Sequence, residues 1–183
     1  MIEKEFERKL VVEEDDYYAL LNYFDKNNLR EDILQINYYY DTHDFDVYNS
    51  DETIRVRQIK NKLKLQYKYN KNHSGDIRIS DESSKEISEL PQVIKTDKFE
   101  TQNIGMMVTE RINFIIKECT ISLDKNYYLG VIDYEIEVET VKEIDISEII
   151  QDIRFTSDGK SKYIRFIEKL IKQNAKCELQ NRM

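Results

Sequence analysis

Charged and apolar residues alternate along most of this chain, and that period of two constrains its fold more than any other feature. In residues 53–59, for example, Arg55 and Arg57 fall on one face while Ile54 and Val56 fall on the other. Such alternation is typical of β-strands with two unlike faces. It predicts strands at residues 3–12, 34–40, 53–59, 62–69, 76–87, 108–116, 118–124 and 131–141. We therefore expect seven or eight strands, mostly antiparallel.

Helical spacing of apolar residues is clearest toward the two ends of the chain. Residues 160–173 place Tyr163, Phe166 and Ile167 on one stripe, which predicts an amphipathic helix. A second helix is predicted at 16–28 behind an aspartate cap, with short helices at 86–95 and 146–153. The expected class is α+β, with an antiparallel β-barrel whose closure removes exposed sheet edges and with flanking helices outside.

The amino-acid composition limits the number of domains, the partners and the cellular compartment that we expect. The 183 residues contain four glycines and one proline, so we expect one domain over residues 1–183 without a flexible linker. A net charge of −8 argues against a generic nucleic-acid surface. Cys119 and Cys177 have no metal or redox spacing, which favours a reduced, cytoplasmic compartment. With neither a signal peptide nor a membrane-length apolar run, we expect a soluble cytoplasmic protein without a membrane partner.

Four of the predicted strand faces carry pairs of like charges. The acidic pairs are Glu5 with Glu7 and Glu135 with Glu137, and the basic pairs are Arg55 with Arg57 and Lys64 with Lys68. On any single strand, a solvated charged face is the ordinary interpretation. A closed barrel could instead enclose all four faces, so that carboxylates and cations share one cavity.

Such a cavity would suit a metal-bound polyphosphate. Carboxylates two residues apart on a strand point the same way and can share one Mg²⁺ or Mn²⁺ ion. A terminal phosphate carries about −1.5 to −2 charges near neutral pH, so a triphosphate needs several Lys and Arg side chains around it. Without a ligand, burying so many charges would be costly. The chain has no Walker loop and no GxSxG motif, and His43 and His73 lack metal-ligand spacing.

The charged segments also follow one another in a specific order. Glu5, Glu7 and Lys9 form an ExExK pattern, residues 35–42 end in Tyr-Tyr-Asp-Thr, and residues 53–57 end in Arg-Val-Arg. Residues 65–68 end in a lysine, residues 130–137 end in Glu-Ile-Glu, and residues 160–166 are basic. In this order the segments resemble the CYTH family, also called triphosphate tunnel metalloenzymes. The similarity extends from about residue 3 to residue 170.

The resemblance implies an eight-stranded antiparallel tunnel with helices outside. It implies Mg²⁺ or Mn²⁺ ligands at Glu5, Glu7, Glu135 and Glu137. It implies phosphate-binding cations at Lys9, Arg55, Arg57, Lys68, Arg111 and Lys162. Lys9 and Asp124 are further expected to act in catalysis, Asp124 by helping to hold the metal or its water.

Some positions depart from the family pattern or stay open. Thr109 stands where the family often has a lysine two residues before Arg111, and Gln66 replaces the threonine of the LTxK strand. No role is assigned to Arg78, Glu82 or Glu86. Either Lys160 or Lys162 could be the phosphate contact in the closing basic segment.

The family's usual reaction is hydrolysis of a triphosphate, and some members cyclise ATP to cyclic AMP. We therefore predict a divalent-metal-dependent triphosphatase acting on a small-molecule triphosphate. The alternatives are a class IV-type adenylate cyclase and a polyphosphate-binding module without turnover. Since no assigned residue is an identifiable reader of a base or a thiazolium ring, inorganic tripolyphosphate is the expected substrate. The sequence leaves the oligomeric state open, a homodimer included.

Overall fold

A computed structural model describes residues 6–26, 28–74, 77–116, 119–140 and 160–180, excluding the side chains at 6–8, 70–74, 77–81, 140 and 178–180. The strands are β1 (Phe6–Val12), β2 (Arg30–Asp41), β3 (Glu52–Ile59), β4 (Lys62–Ser74), β5 (Ile77–Ile87), β6 (Val93–Lys95), β7 (Glu100–Ile116), β8 (Cys119–Tyr128) and β9 (Val131–Thr140). The helices are α1 (Glu14–Asp25), α2 (Asp46–Asn49) and α3 (Lys162–Gln180). These elements confirm the α+β class. The helix predicted at 146–153 lies outside the described residues.

The strands form one sheet in the order β1-β9-β8-β7-β2-β3-β4-β5, with β6 added beside β7. Every described strand pair is antiparallel. The hairpin between β8 and β9 turns at Leu129 and Gly130, which both have positive φ angles, as a two-residue type I′ turn requires. The Leu129 carbonyl accepts a 2.9 Å hydrogen bond from Gln173 of α3, which ties this turn to the helix.

The predicted closed eight-stranded barrel needs correction. The described sheet has nine strands, and its hydrogen-bonded path is open between β1 and β5. These two end strands nevertheless approach each other to Cα–Cα distances of 8 Å or less. A continuous β-ladder needs strands about 4.7–4.9 Å apart in the hydrogen-bonding direction. The sheet therefore coils far enough to bring its ends together, without a ladder between β1 and β5 among the described residues.

The predicted helix at 86–95 is wrong. Strand β5 extends to Ile87, and after a short bend the chain enters β6. Pro91 lies in the middle of the predicted helix, where it lacks the N–H that a helix interior needs. The Pro91 carbonyl instead accepts a 2.7 Å hydrogen bond from the Tyr40 hydroxyl. Ile94 is buried in an apolar cluster with Val47 of α2 and Val56 of β3.

Helix α1 covers the outer face of β7, β8 and β9. Its buried side chains Tyr17, Leu20 and Phe24 pack in one cluster with apolar residues of these strands. The buried strand residues in this cluster are Val12, Ile112, Phe114, Cys119, Ile121, Leu123, Tyr134, Ile136 and Val138. Since side chains alternate across a strand, the intervening residues lie on the opposite face, which we call the inner face. No described helix is long and apolar enough to cross a membrane.

Helix α3 packs against one end of the inner face. Phe166 and Ile167 of α3 are fully buried in a cluster with Tyr39 of β2 and Met107 of β7. Gly105 allows this approach, since a Cβ atom at residue 105 would lie 2.7 Å from the Phe166 ring. Gly105 has a φ of 141° and lies at a β-bulge between β2 and β7. The helix is thus positioned to send side chains from its first turns onto the inner face.

Candidate active site

Three buried carboxylates lie together on the inner face. Asp124 of β8 is paired in register with Glu135 of β9, and Glu137 follows two residues later on the same face. Asp124 and Glu135 are 0% exposed and Glu137 is 3% exposed. One oxygen from each of the three carboxylates lies within 4.8 Å of the others. A set of three carboxylate oxygens fits the preference of Mg²⁺ and Mn²⁺ for hard oxygen ligands.

Four cations contact this carboxylate triad or its edge. The Lys162 ammonium lies 2.7 Å from Asp124, 2.7 Å from Glu135 and 2.6 Å from Glu137. Arg111 donates two hydrogen bonds to Asp124, at 2.7 and 2.6 Å, and a further short one to Glu137. Lys9 of β1 donates to Glu137 at 2.9 Å. Arg165 donates to Glu135 and, at 3.0 Å, to Asp133.

Burial and the neighbouring cations act in opposite directions on the pKa values of Glu135 and Glu137. Burial would raise the pKa of Glu137, but Arg111, Lys162 and Lys9 outweigh that effect and hold it well below the usual range. Burial raises the pKa of its neighbour Glu135, against the opposing influence of Lys162 and Arg165. Of the two glutamates, Glu137 is therefore the one whose charge the surrounding cations favour more strongly.

A second group of cations lies on β3 and β4, on the same inner face. Arg55 donates a 2.9 Å hydrogen bond to Gln66, and its guanidinium is 4.0 Å from Glu82 of β5. Arg57 donates at 3.2 Å to the side-chain oxygen of Asn37. Lys68 follows Gln66 by two residues, so it shares the face of that side chain. Gln66 in turn donates to Glu82.

Arg57 carries a charge that its surroundings oppose. Its hydrogen-bond acceptor, Asn37, is neutral, and within the described part of the chain no carboxylate lies within 4.0 Å of its guanidinium. Burial, together with the neighbouring charges of Arg55 and Arg111, lowers the pKa of Arg57 to about 10. A guanidinium with this pKa stays charged near neutral pH. The position therefore favours an incoming anion.

The first turn of α3 is fixed by contacts around Lys162. The Tyr163 hydroxyl donates to Asp41, a fully buried carboxylate at the end of β2. Asp41 also accepts hydrogen bonds from the backbone amides of Val47 and Tyr48 in α2, at 2.9 and 3.1 Å. The aspartate of the Tyr-Tyr-Asp-Thr segment thus joins β2, α2 and α3. It orients the helix that carries Lys162 onto the triad.

The sequence matches the family model of the CYTH domain over residues 3–167, most of the chain. This chain belongs to the CYTH family. No curated protein sequence matches it significantly.

Solved structures share the fold of this CYTH domain. A candidate adenylate cyclase from Bacillus halodurans has a TM-score of 0.70 at 22% identity, covering 90% of this chain and 97% of that one. HpAC1 from Hippeastrum, a candidate adenylyl cyclase described as revealing a dominant triphosphatase activity, has a TM-score of 0.74 at 20% identity, covering 90% and 96%. PH1819 from Pyrococcus horikoshii has a TM-score of 0.61 at 21% identity, covering 91% and 99%.

Most of the predicted site residues lie on the inner face of the CYTH domain. One network joins Lys9, Arg111, Asp124, Glu135, Glu137 and Lys162. Arg55, Arg57 and Lys68 lie on β3 and β4 of the same face. Two predicted metal ligands are not placed, since Glu5 and the side chain of Glu7 lie outside the described residues.

The positions that the sequence left open lie in different parts of the structure. Of the two candidate lysines, Lys162 contacts the triad, whereas Lys160 pairs with Glu168 at 2.9 Å and is 41% exposed. Glu82 lies beside Arg55 and Gln66, on the cationic side of the inner face. Glu86 is exposed on β5, opposite Lys64 in the β4–β5 register. The side chain of Arg78 is outside the described residues.

Sequence reasoning missed Arg165 and the buried amides. Arg165 follows Lys162 by three residues, a spacing that places both on the same side of a helix and could have indicated its role. Asn37 and Asn126 are 1% and 0% exposed, and they bond to Arg57 and to Thr109 and Asp133. Neutral amides at alternating strand positions carry no charge pattern, so they cannot be recognised from charge alternation.

Proposed function

We propose that this CYTH domain is a divalent-metal-dependent triphosphatase, with inorganic tripolyphosphate as its preferred substrate. The observation that carries the proposal is the placement of opposite charges on one buried face. The carboxylate triad lies on β8 and β9, while Arg55 and Arg57 lie on β3 without an ion pair closer than 4.0 Å among the described residues. A metal-bound polyanion would satisfy both groups at once.

The metal would be held by the carboxylate triad. Asp124, Glu135 and Glu137 offer three oxygens within 4.8 Å, and the Lys162 ammonium already stands among them as a cation. Glu5 and Glu7 remain predicted ligands from the start of the chain. When bound, a divalent ion neutralises phosphate charge and polarises phosphoryl oxygens.

The cations of the inner face would bind and orient the phosphate chain. Arg57 and Arg55 offer planar guanidinium donors, which suit bidentate contacts to phosphate oxygens. Lys68 would extend this cationic side along β4, and Arg111 and Lys9 would lie nearest the triad. Catalysis of phosphoryl transfer depends mainly on such positioning and on electrostatic stabilisation of the transferred group.

The reaction would be direct hydrolysis. A water oxygen forms a bond to the terminal phosphorus and one of its protons passes to solvent. The bond from that phosphorus to the bridging oxygen breaks, and orthophosphate and diphosphate leave. This direct attack by water needs no cysteine thiol as a nucleophile. Cys119 is buried in the apolar cluster under α1, and Cys177 is exposed on α3.

The preference for tripolyphosphate rests on the lining of the inner face. Its described side chains near the triad are carboxylates, cations, amides and the hydroxyls of Thr109 and Ser122, which recognise phosphate and metal rather than an organic ring. At its covered end the Tyr39 ring packs against those of Tyr163 and Phe166, with centroid distances of 5.1 and 5.0 Å. The triphosphatase activity described for HpAC1, a structure with the same fold, is consistent with this proposal.

A substrate panel tests the proposal. Phosphate release would be measured with inorganic tripolyphosphate, thiamine triphosphate and ATP, each with Mg²⁺, with Mn²⁺ and with excess chelator. We expect metal-dependent release, with a kcat/KM for tripolyphosphate at least tenfold above that for the two organic triphosphates. Formation of cyclic AMP from ATP would instead support an adenylate cyclase. Tight triphosphate binding without any turnover would support a binding module.

Two variants make the assay specific to the site. Glu137→Gln keeps the shape of the side chain and removes its charge, so it should abolish turnover. Lys172→Met changes an exposed lysine of α3 and should leave turnover unchanged. Full activity in excess chelator, or in Glu137→Gln, would contradict the proposed role of the triad.

A further inference from the structure

The Lys162 ammonium lies in the middle of the carboxylate triad. Its Nζ atom is 2.6–2.7 Å from one oxygen each of Asp124, Glu135 and Glu137. An ammonium has three N–H donors, so each carboxylate can accept one of them. Lys162 itself is only 8% exposed. The ammonium therefore occupies the space in which these three carboxylates would coordinate a metal ion.

Other cations touch the triad without occupying its centre. Lys9 contacts Glu137, Arg111 contacts Asp124 and Glu137, and Arg165 contacts Glu135. Within the described part of the chain, Lys162 is the cation that contacts all three carboxylates. The difference is one of position, since each of the four side chains carries one positive charge.

We infer that Lys162 is the resident cation of the metal site, and that a divalent ion binds only by displacing its ammonium toward the phosphate-binding side. The inference deepens the proposed function and rests on its metal site. An ammonium and a metal ion cannot share three carboxylate oxygens at these distances. Once displaced, the ammonium is left near Arg111 without carboxylate partners, and it needs an anion.

This exchange links metal binding to triphosphate binding. The metal releases a lysine that can bind phosphate, and the phosphate stabilises the displaced lysine. Each ligand therefore increases the affinity of the other, and such coupling is reciprocal. A metal ion without triphosphate would bind weakly, because it must break three ion pairs with no new partner for the ammonium.

The rest of α3 can stay in place while the ammonium moves. Lys162 has a flexible four-carbon side chain at the start of the helix. Its neighbour Tyr163 is bonded to Asp41, and Phe166 and Ile167 are fully buried. The movement therefore requires a change in side-chain rotamer rather than undocking of the helix.

The test is the affinity for Mn²⁺ alone, measured by calorimetry without triphosphate. Lys162→Met keeps the apolar stem and removes the ammonium, so we expect Mn²⁺ to bind at least tenfold more tightly than to the wild type. Lys160→Met is the matched control, because Lys160 pairs with Glu168 away from the triad. Lys9→Met removes one charge at Glu137 without vacating the shared position, and it should give a smaller gain.

The outcomes separate the two proposals. Equal or weaker Mn²⁺ binding by Lys162→Met, or an equal gain in Lys9→Met, would overturn the exchange. If neither the wild type nor Lys162→Met bound Mn²⁺, the metal site and the proposed function would fail together. Tighter Mn²⁺ binding by Lys162→Met than by a wild type that itself has no triphosphatase activity would leave the exchange standing and overturn the function.

The inference can be tested even if Lys162→Met does not fold on its own. If Lys162→Met is unfolded without metal, Mn²⁺ should restore its circular dichroism spectrum, since the ion supplies the missing positive charge. Lys162→Gln provides a milder variant for the same titration. Failure of Mn²⁺ to restore Lys162→Met, with no gain in affinity in Lys162→Gln, would contradict the inference. A second readout is the effect of a non-hydrolysable triphosphate on Mn²⁺ affinity, which should be smaller in Lys162→Gln than in the wild type.

Discussion

Replacing Arg57 with methionine should change the stability of the empty protein and its affinity for triphosphate in opposite directions. Burial of the guanidinium and the neighbouring charges of Arg55 and Arg111 lower its pKa from the usual arginine value to about 10. Its folded-state pKa is below the unfolded value, so the cost of the charge is present at every pH below about 10. Near pH 7.5 the charge of Arg57 therefore destabilises the native state by its full amount.

The magnitude follows from the pKa. Each tenfold change in proton affinity corresponds to about 1.4 kcal/mol, so the charge costs the empty protein on the order of 3 kcal/mol. Removing the hydrogen bond to Asn37 loses about 1 kcal/mol. We expect Arg57→Met to raise the free energy of unfolding by about 2 kcal/mol, or its Tm by about 4–8 °C. In the bound state the lost charged hydrogen bonds should weaken triphosphate binding by about 1.5–3 kcal/mol.

Two measurements check the prediction on the same protein. Urea or thermal unfolding without ligand gives the stability, and calorimetry with a non-hydrolysable triphosphate gives the affinity. Lys172→Met on the exposed side of α3 is the control and should change neither quantity. A variant that is less stable than the wild type and binds triphosphate equally well would refute the inward placement of Arg57. An equal loss of affinity in the control would refute it too.

Other predictions concern the docking of α3 and the charge of Glu137. Gly105→Ala brings a Cβ atom to 2.7 Å from the Phe166 ring, so it should destabilise the protein by about 1–3 kcal/mol and weaken triphosphate binding. Gly130→Ala is its control, since φ is also positive there but no atom lies within 4 Å, and it should cost only about 1 kcal/mol of backbone strain without affecting binding. Glu137→Gln should lower stability by about 3–5 kcal/mol at pH 7, because Arg111 and Lys162 lose a buried partner. Because the pKa of Glu137 is held low, its carboxylate contributes to stability above pH 4.5, and this stability is lost as the pH falls through the folded-state pKa. The acid unfolding curves of the wild type and Glu137→Gln should therefore converge at pH values below that pKa.

The strands were predictable because alternation is a local property of the chain. Residues 53–59 were predicted as a strand, and β3 spans Glu52–Ile59. The helix at 86–95 was wrong because apolar spacing outweighed Pro91 in the prediction, although the missing N–H of a proline opposes a helix interior. Strands and helices that depend on neighbouring residues were therefore predictable from the sequence. Pro91 was the local signal against the helix at 86–95.

The candidate site was only partly predictable. The order of charged segments was enough to select Glu135, Glu137 and Arg111 as site residues, and the structure brings these three together. The three-residue spacing from Lys162 could have indicated Arg165, but it does not identify the partners Asp133 and Glu135, which lie about 30 residues earlier in the chain. Contacts over such a separation depend on how a helix docks on a sheet, which local spacing does not specify. The roles assigned to these residues stay predictions until the variants are measured.

The sequence by itself determined which residues share a strand face, since side-chain direction alternates with every residue. It did not determine which face is enclosed, because a solvated charged face and a buried one have the same alternation. Only the coiling of the sheet, with α1 on its outer face and α3 packed against its inner face, decided that Glu135 is fully buried. The choice between Lys160 and Lys162 was likewise made by the tertiary structure. Helix α3 begins at Lys162 and is fixed by the Tyr163–Asp41 hydrogen bond, which directs the Lys162 ammonium onto the triad and leaves Lys160 paired with Glu168.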